Sequence, residues 1–122
     1  MFATALLAGC LARSGTEHDP WHGAAKIKFQ LEDIHADGLR GPPDGLVAVP
    51  YEFCVPSDER VQQEIRQIDP SLQIQRGAHG RAGCEANQSL AIGDTNQPRW
   101  REVLQALSSL TYIDEIRECF YE

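Results

Sequence analysis

Residues 47–55 constrain the fold most, because their side chains alternate in the pattern of an extended strand. Valine or a large aromatic residue stands at every second position, from Val47 through Tyr51 and Phe53 to Val55. A period of two puts these side chains on one side of a β-strand, where they can face a core. The segment therefore predicts a strand with one buried face.

A short amphipathic helix is predicted directly after this strand. Residues 56–59, Pro-Ser-Asp-Glu, supply an N-cap and an acidic first turn. Val61, Ile65 and Ile68 then recur at helical spacing until an Asp-Pro pair ends the run. We expect Val61 and Ile65 to face the sheet.

Two further strands are predicted from short alternating runs. Leu72 and Ile74 alternate with glutamines, and Leu90 and Ile92 form a second alternating pair. Between these runs lie the glycine-rich residues 77–83, which are expected to turn the chain. The pattern therefore indicates two strands joined by a long turn.

A second helix and a final strand complete the predicted elements. Pro98 suits the first position of the helix, whose apolar face comprises Trp100, Val103, Leu104, Leu107 and Leu110. We expect Leu104 and Leu107 to face the sheet. Residues 113–121 are predicted to end the chain as a strand.

The resulting order, β-α-β-β-α-β, resembles the ferredoxin-like split βαβ fold. The resemblance implies an α+β domain with a four-stranded antiparallel sheet, in the strand order 4-1-3-2, and both helices on one face. Upstream, Ile27, Phe29 and Leu31 alternate with polar residues, so residues 25–33 are predicted to add an N-terminal edge strand. This architecture serves enzymes, ligand sensors and interaction modules alike, so it does not specify a function.

The N-terminus carries a pattern typical of export. Its first residues are almost all apolar or small, and they run into the sequence Leu-Ala-Gly-Cys that ends at Cys10. This resembles the lipobox of bacterial lipoproteins, in which the leader is cut before a cysteine that then carries the lipid. The resemblance implies a leader over residues 1–9, lipidation of Cys10, a tether over residues 10–23 and a single domain over residues 24–122. The protein would then lie in the cell envelope, periplasmic or membrane-anchored; the alternative is a frayed cytoplasmic N-terminus with an incidental cysteine.

The charge of the chain bears on its partners. The sequence has 11 Lys and Arg against 18 Asp and Glu, which gives a net charge of −7. Such a charge opposes a nonspecific hold on nucleic acid or on an anionic membrane surface. We therefore expect no nucleic acid partner and no membrane contact other than the lipid anchor.

Three cysteines remain after Cys10, and their positions predict one disulfide. The predicted topology brings Cys54 and the turn that carries Cys84 to the same end of the sheet, whereas Cys119 lies near its opposite end. A disulfide requires Cα atoms only about 4.4–6.8 Å apart, so the expected bond is Cys54–Cys84, with Cys119 as the odd thiol. In a cytoplasmic protein all three would instead be thiols. The sequence has no C-x-x-C and no histidine at a metal-ligand spacing to these cysteines, so we expect no metal and no cofactor.

The turn after the second core strand is the candidate binding site. It holds Arg76, His79 and Arg81 among glycines, in an otherwise acidic protein. The topology places it beside Ser57 at the start of the first helix, where unpaired amides and the helix dipole favour an anion. These four residues could therefore form one electropositive ligand pocket; the alternative is a solvated hairpin whose glycines only turn the chain.

The sequence supports three functional hypotheses. The first is a non-enzymatic envelope module that binds a protein partner or a small anion. The second is a small enzyme that holds an anionic substrate at residues 76–81, and the third is a cytoplasmic ligand-sensing domain. The absence of a recognisable acid–base or metal motif favours the first hypothesis over catalysis.

Overall fold

The secondary structure is that of an α+β domain. A computed structural model describes Trp21 and residues 23–120; the leader, Cys10 and most of the predicted tether lie outside the described residues. Two 3₁₀ turns, at Ala24–Lys26 and Leu31–Asp33, precede the regular elements. These elements are β1 (Leu39–Arg40), β2 (Val47–Ala48), β3 (Pro50–Pro56), α1 (Glu59–Ile68), β4 (Gln73–Arg76), β5 (Gln88–Asp94), α2 (Trp100–Ser108) and β6 (Arg117–Glu118).

The main sheet has four strands in the order β4-β5-β3-β6. Every neighbouring pair is antiparallel. Counted from β3 as the first core strand, this is the predicted order 4-1-3-2, and the predicted α+β class is confirmed. β1 and β2 form a separate two-stranded hairpin, which Arg40 joins to β6 by an ion pair with Glu118.

The alternating segment over residues 47–55 is divided into two strands at Val49. The Val49 N–H donates to Thr95 Oγ1, and the Val49 carbonyl accepts the Thr95 N–H. Pro50 follows and has no N–H to donate. Val47 therefore belongs to the hairpin, and the main sheet begins at Pro50.

The expected edge strand over residues 25–33 is reduced to one bridge. Ile27 pairs in parallel with Ile116, and 3₁₀ turns lie on either side of it. These turns close their own hydrogen bonds, Ile27 N–H to Ala24 O and Ile34 N–H to Leu31 O. Because the backbone is satisfied locally, little of it remains free to extend a ladder.

Both helices pack on the same face of the sheet. Ile65, Leu104 and Leu107 are fully buried, and Val61 packs against the same cluster, so the predicted apolar faces are confirmed. Their partners on β3 are Tyr51, Phe53 and Val55. α1 begins where Asp58 Oδ1 accepts the N–H groups of Arg60 and Val61, as an N-cap does.

A polar network is buried at the C-terminal end of α1. The Asp69 carboxylate accepts a hydrogen bond from the Tyr51 hydroxyl, two from Ser71 and one from Gln97 Nε2. Asp69 and Tyr51 are both fully buried. Burial and the neighbouring Asp69 carboxylate raise the pKa of the Tyr51 phenol, which therefore stays protonated and donates. The network thus ties β3 to the chain that follows α1 and to the loop before α2.

The end of the predicted tether also packs against the domain. Trp21 contacts the core, and its Nε1–H donates to Ser108 Oγ at 2.8 Å. Gly23 is buried against Ser108, where a Cβ atom would lie 2.4 Å from Ser108 Oγ. Within the described part of the chain, no helix is both long and apolar enough to cross a membrane.

Candidate functional site

The sheet face opposite the helices is covered by the connection between β4 and β5. This connection, residues 77–87, is called the strap below. Side chains alternate along a strand, so Glu52 and Cys54 of β3 point to the opposite side from Tyr51 and Phe53. On this side lies a second, smaller buried cluster, formed by Cys84, Leu90, Ile92 and Cys119 with Cys54, Ala78 and Ala82 packed against it.

The predicted disulfide is present. Cys54 and Cys84 are joined with their Cα atoms 5.4 Å apart, and the bond ties the strap to β3. Cys119 is buried and free, and its N–H donates to the Pro50 carbonyl at the other end of β3. Cys119 lies in the same buried cluster but at the far end of β3 from Cys54, and it is the odd thiol, as the sequence predicted.

The four residues of the predicted anion pocket take separate partners. The Ser57 hydroxyl lies 2.8 Å from Ser89 Oγ, and the Ser57 N–H donates to the Asn87 carbonyl. His79 Nδ1 lies 2.6 Å from the Cys84 carbonyl, so this ring helps to fold the strap on itself.

Of the two arginines, Arg76 lies near the Ser57 contact, because its ladder partner Ser89 is the residue that Ser57 contacts. Arg76 ends β4, where it is exposed and pairs with Ser89 in the ladder. The Arg81 guanidinium lies 5.3 Å from the centre of the Phe120 ring. Of the four predicted residues, only Arg81 lines the cavity described next.

A cavity of about 340 Å³ opens where the strap meets the end of the chain. It is lined by Glu52, Gly80, Arg81 and Phe120. Phe120 is 56% exposed, which makes it one of the most exposed large apolar residues in the described part of the chain. The cavity therefore combines a carboxylate, a guanidinium and an aromatic ring.

Phe120 and Glu52 are residues of this site that the sequence did not predict, and Glu52 is the buried one of the two. It is only 3% exposed, and its Oε2 accepts the N–H of Ala82 at 2.8 Å. A Cβ on Gly80 would lie 2.4 Å from the same oxygen, and Gly80 has a φ of +61°, so a glycine suits this position. The sequence did contain a signal for Glu52: it is a charged residue in the middle of an otherwise apolar strand, and alternation puts it on the same side of the strand as Cys54.

The thiol of Cys119 lies beside Glu52 under the strap. Burial raises its pKa to about 11, with further contributions from a hydrogen bond to Glu52 and from the charge of that carboxylate; Arg81 opposes the shift. A thiol with a raised pKa is a poor nucleophile at neutral pH, because the thiolate is the reactive form. Cys119 is therefore suited to packing and hydrogen bonding in this state of the protein.

Replacing Glu52 with glutamine is expected to lower the pKa of Cys119. The amide can still accept the Ala82 N–H, but the negative charge is lost while the burial remains. The pH profile of alkylation by iodoacetamide should thus shift from an inflection near pH 11 to a lower pH. Because the folded state holds this proton more tightly than the unfolded state, wild-type stability should also fall as pH rises from about 9 towards 11. An unchanged alkylation profile in Glu52→Gln would contradict the assigned hydrogen bond.

Two other cavities lie elsewhere on the domain. One, of about 250 Å³, is lined by Cys54, Gln88 and the carboxylates of Glu85, Asp114 and Glu115, together with Ala82 and Gly83. The other, of about 420 Å³, lies between the end of α1 and the first turns of α2 and is largely apolar. Among the described residues, no group of three or more His, Cys, Asp and Glu side chains could hold a metal ion.

Comparison with models of known families, with curated proteins and with solved structures finds no match to this chain. Its function must therefore be argued from its own geometry and chemistry.

Proposed function

We propose that this chain is a lipid-anchored domain of the cell envelope that binds a protein partner and has no catalytic role. The Cys54–Cys84 disulfide is the observation that carries the location. Disulfides form and persist in oxidising compartments and are rare in the cytosol. The disulfide therefore agrees with the lipobox-like sequence ending at Cys10 and argues against the cytoplasmic alternative.

The proposed binding surface is the cavity of Glu52, Gly80, Arg81 and Phe120. Arginine and aromatic residues are enriched at protein interfaces, where flat side chains give contact area at a low entropic cost. Here the guanidinium lies over an exposed ring, and the strap that carries Arg81 is bonded covalently to the sheet. Because these side chains are held in place before the partner binds, less conformational entropy is lost on binding.

A protein partner suits this surface better than a small anion. Glu52 brings a carboxylate into the same cavity as Arg81, and a carboxylate repels an anion. Ser57 and His79, which were expected to complete an anion pocket, are hydrogen-bonded within the chain. The remaining combination of both charges with an exposed aromatic ring fits a mixed polar and apolar protein surface.

Changing Cys10 to alanine should release the protein from membranes. Wild-type protein expressed in a bacterial host is expected to sediment with the membrane fraction, because dual acylation holds a protein stably on a membrane. Mass spectrometry should find Cys10 as the lipidated first residue, while Cys10→Ala should be soluble or keep its leader. Cys119→Ala is the matched control and should stay with the membranes. Equal partitioning of wild type and Cys10→Ala would contradict the lipid anchor.

A photoreactive amino acid at position 120 should capture the protein partner in intact cells. Position 63 is the control, because Gln63 is exposed on α1, in the helix layer on the opposite face of the sheet. We expect a discrete cross-linked band from position 120 that is lost when Arg81 is also changed to alanine, and no such band from position 63. Equal bands from both positions would contradict a specific surface. A phosphate-dependent shift of the Arg81 side-chain resonance without any cross-link would favour the small-anion alternative instead.

A further inference from the structure

The two faces of the sheet are covered in different ways. On the helix side, large side chains from both helices and from β3 form the main core, including Phe53, Ile65 and Leu104. On the strap side the buried cluster is much smaller, and the strap adds only Ala78, Ala82 and Cys84 to it. Alanine buries little apolar area, so the hydrophobic effect holds the strap only weakly.

A small number of non-covalent contacts also hold the strap. Ala82 N–H donates to Glu52, Arg117 Nη1 donates to the carbonyl of Arg81 at 2.8 Å, and Ser57 N–H donates to the carbonyl of Asn87. The Arg81 guanidinium also lies over the Phe120 ring. A hydrogen bond contributes about 1 kcal/mol net, with somewhat more when one partner is charged. Other bonds, such as the one between His79 and Cys84, lie within the strap and do not attach it to the sheet. The covalent bond to Cys54 is therefore the principal attachment.

The two sulfur atoms differ in their access to a reductant. Cys84 is 2% exposed, whereas Cys54 is partly exposed and lines the cavity of about 250 Å³. The cavity is lined by Cys54 and not by Cys84, so Cys54 is the more accessible of the two cysteines to a reductant. Thiol–disulfide exchange proceeds by such an attack on one sulfur, with the other sulfur as the leaving group.

We propose that the strap is released by reduction: cleavage of the Cys54–Cys84 bond by a dithiol protein frees residues 77–87 while the helix-side core stays folded. The attacking thiolate forms a mixed disulfide with Cys54, and the electron pair of the broken bond goes to Cys84, which takes up a proton. The second thiol of the reductant then displaces Cys54, which is also protonated. The reductant ends as a disulfide, and both cysteines of this chain end as thiols.

Release of the strap changes what this face presents. The strap covers Glu52 and Cys119, so its departure gives solvent access to the free thiol. Leu90 and Ile92 become an exposed apolar strip on β5. The ends of the strap remain joined, because β4 and β5 stay paired from Gln73 to Arg76. The reduced protein would thus offer a different surface at the proposed binding site.

Proteolysis and thiol labelling of the full-length Cys10→Ala chain test this inference. Trypsin can cut after Arg81 in the strap, and Arg60 and Arg66 on α1 are exposed control sites in the helix-side layer. With dithiothreitol, we expect cleavage after Arg81 to become at least about 10-fold faster, as local opening of a weakly held segment requires. Maleimide labelling of Cys119, measured after the dithiothreitol has been removed without air, should rise by a similar factor, because dithiothreitol itself consumes maleimide. Cleavage after Arg60 and Arg66, and the far-ultraviolet circular dichroism, should stay unchanged.

A double variant, Cys54→Ser with Cys84→Ser, should reproduce the released state without any reductant. Unchanged cleavage after Arg81 in reduced protein would show that other contacts hold the strap and would overturn the proposal. Loss of circular dichroism on reduction would overturn it as well, because the bond would then hold the whole domain. The test uses the Cys10→Ala chain and an added reductant, so failure of the Cys10 test and failure of this one remain distinguishable.

Discussion

Replacing Asp69 with alanine is expected to lower the free energy of unfolding by about 3–5 kcal/mol, which is a large part of the stability of a small domain. The Asp69 carboxylate is fully buried and accepts hydrogen bonds from Tyr51, Ser71 and Gln97. Without it, these donors lose their acceptor in a place that water does not reach. Each unsatisfied buried donor costs about 1–3 kcal/mol. Urea denaturation of both proteins at one pH measures the difference.

Two further variants test whether the loss of stability comes from the missing hydrogen-bond acceptor. Asp69→Asn keeps one carbonyl oxygen and nearly the same volume, so it should lose clearly less stability than the alanine variant. Tyr51→Phe removes one donor and leaves the other bonds to Asp69, and should cost about 1 kcal/mol. Equal losses for Asp69→Ala and Asp69→Asn would show that the charge matters and not the satisfaction of these donors.

Removing the disulfide is expected to cost about 3–4 kcal/mol, from the chain entropy of the loop that it closes. The two cysteines are 30 residues apart in sequence, so the oxidised unfolded chain is restricted over a long loop. The variant with both Cys54→Ser and Cys84→Ser should therefore unfold at lower urea concentration, with a steeper dependence on urea because its unfolded state is less compact.

The control for this loss is Cys119→Ala. Cys119 is buried like Cys84 but has no covalent partner, so its replacement should cost only about 1 kcal/mol. A loss below about 1 kcal/mol in the double serine variant would contradict the entropic account. It would mean that strain in the native bond offsets the restriction of the unfolded chain.

The strand order and the disulfide were predictable because both follow from the order of the elements. Alternation predicted the first three core strands, helical spacing predicted α1 and α2, and right-handed crossovers then allow one arrangement of the sheet. That arrangement puts Cys54 near the turn that carries Cys84. The apolar faces of the helices followed from the same spacing. Of the predicted last strand, residues 113–121, only Arg117–Glu118 is a strand.

The boundaries of elements depended on contacts between distant residues. The alternation over residues 47–55 does not show that Val49 bonds to Thr95, which lies far along the chain. The pattern of Ile27, Phe29 and Leu31 fits a strand, but local 3₁₀ hydrogen bonds form there instead. A period of two in a few residues cannot distinguish these outcomes.

The candidate site was predicted only in part for a related reason. Arg81 was identified from its glycine-rich surroundings, whereas its neighbours Glu52 and Phe120 come from other elements of the chain. Ser57 and His79 carry side chains that suit an anion, but each found a partner within the fold. The sequence shows which side chains a turn carries. Only the packing of the folded chain shows which of them line the same cavity.

The positions of the tryptophans determine what optical measurements on this domain can report. The sequence has two: Trp21 donates to Ser108 at the end of α2, and Trp100 is the first residue of α2 and donates to the Ala36 carbonyl. Neither belongs to the cluster under the strap. Their emission should therefore follow the helix side of the sheet and remain constant while the strap opens. A titration that changes the intensity and wavelength of this emission would therefore report on the main core, and changes at the strap need a probe placed on the strap itself.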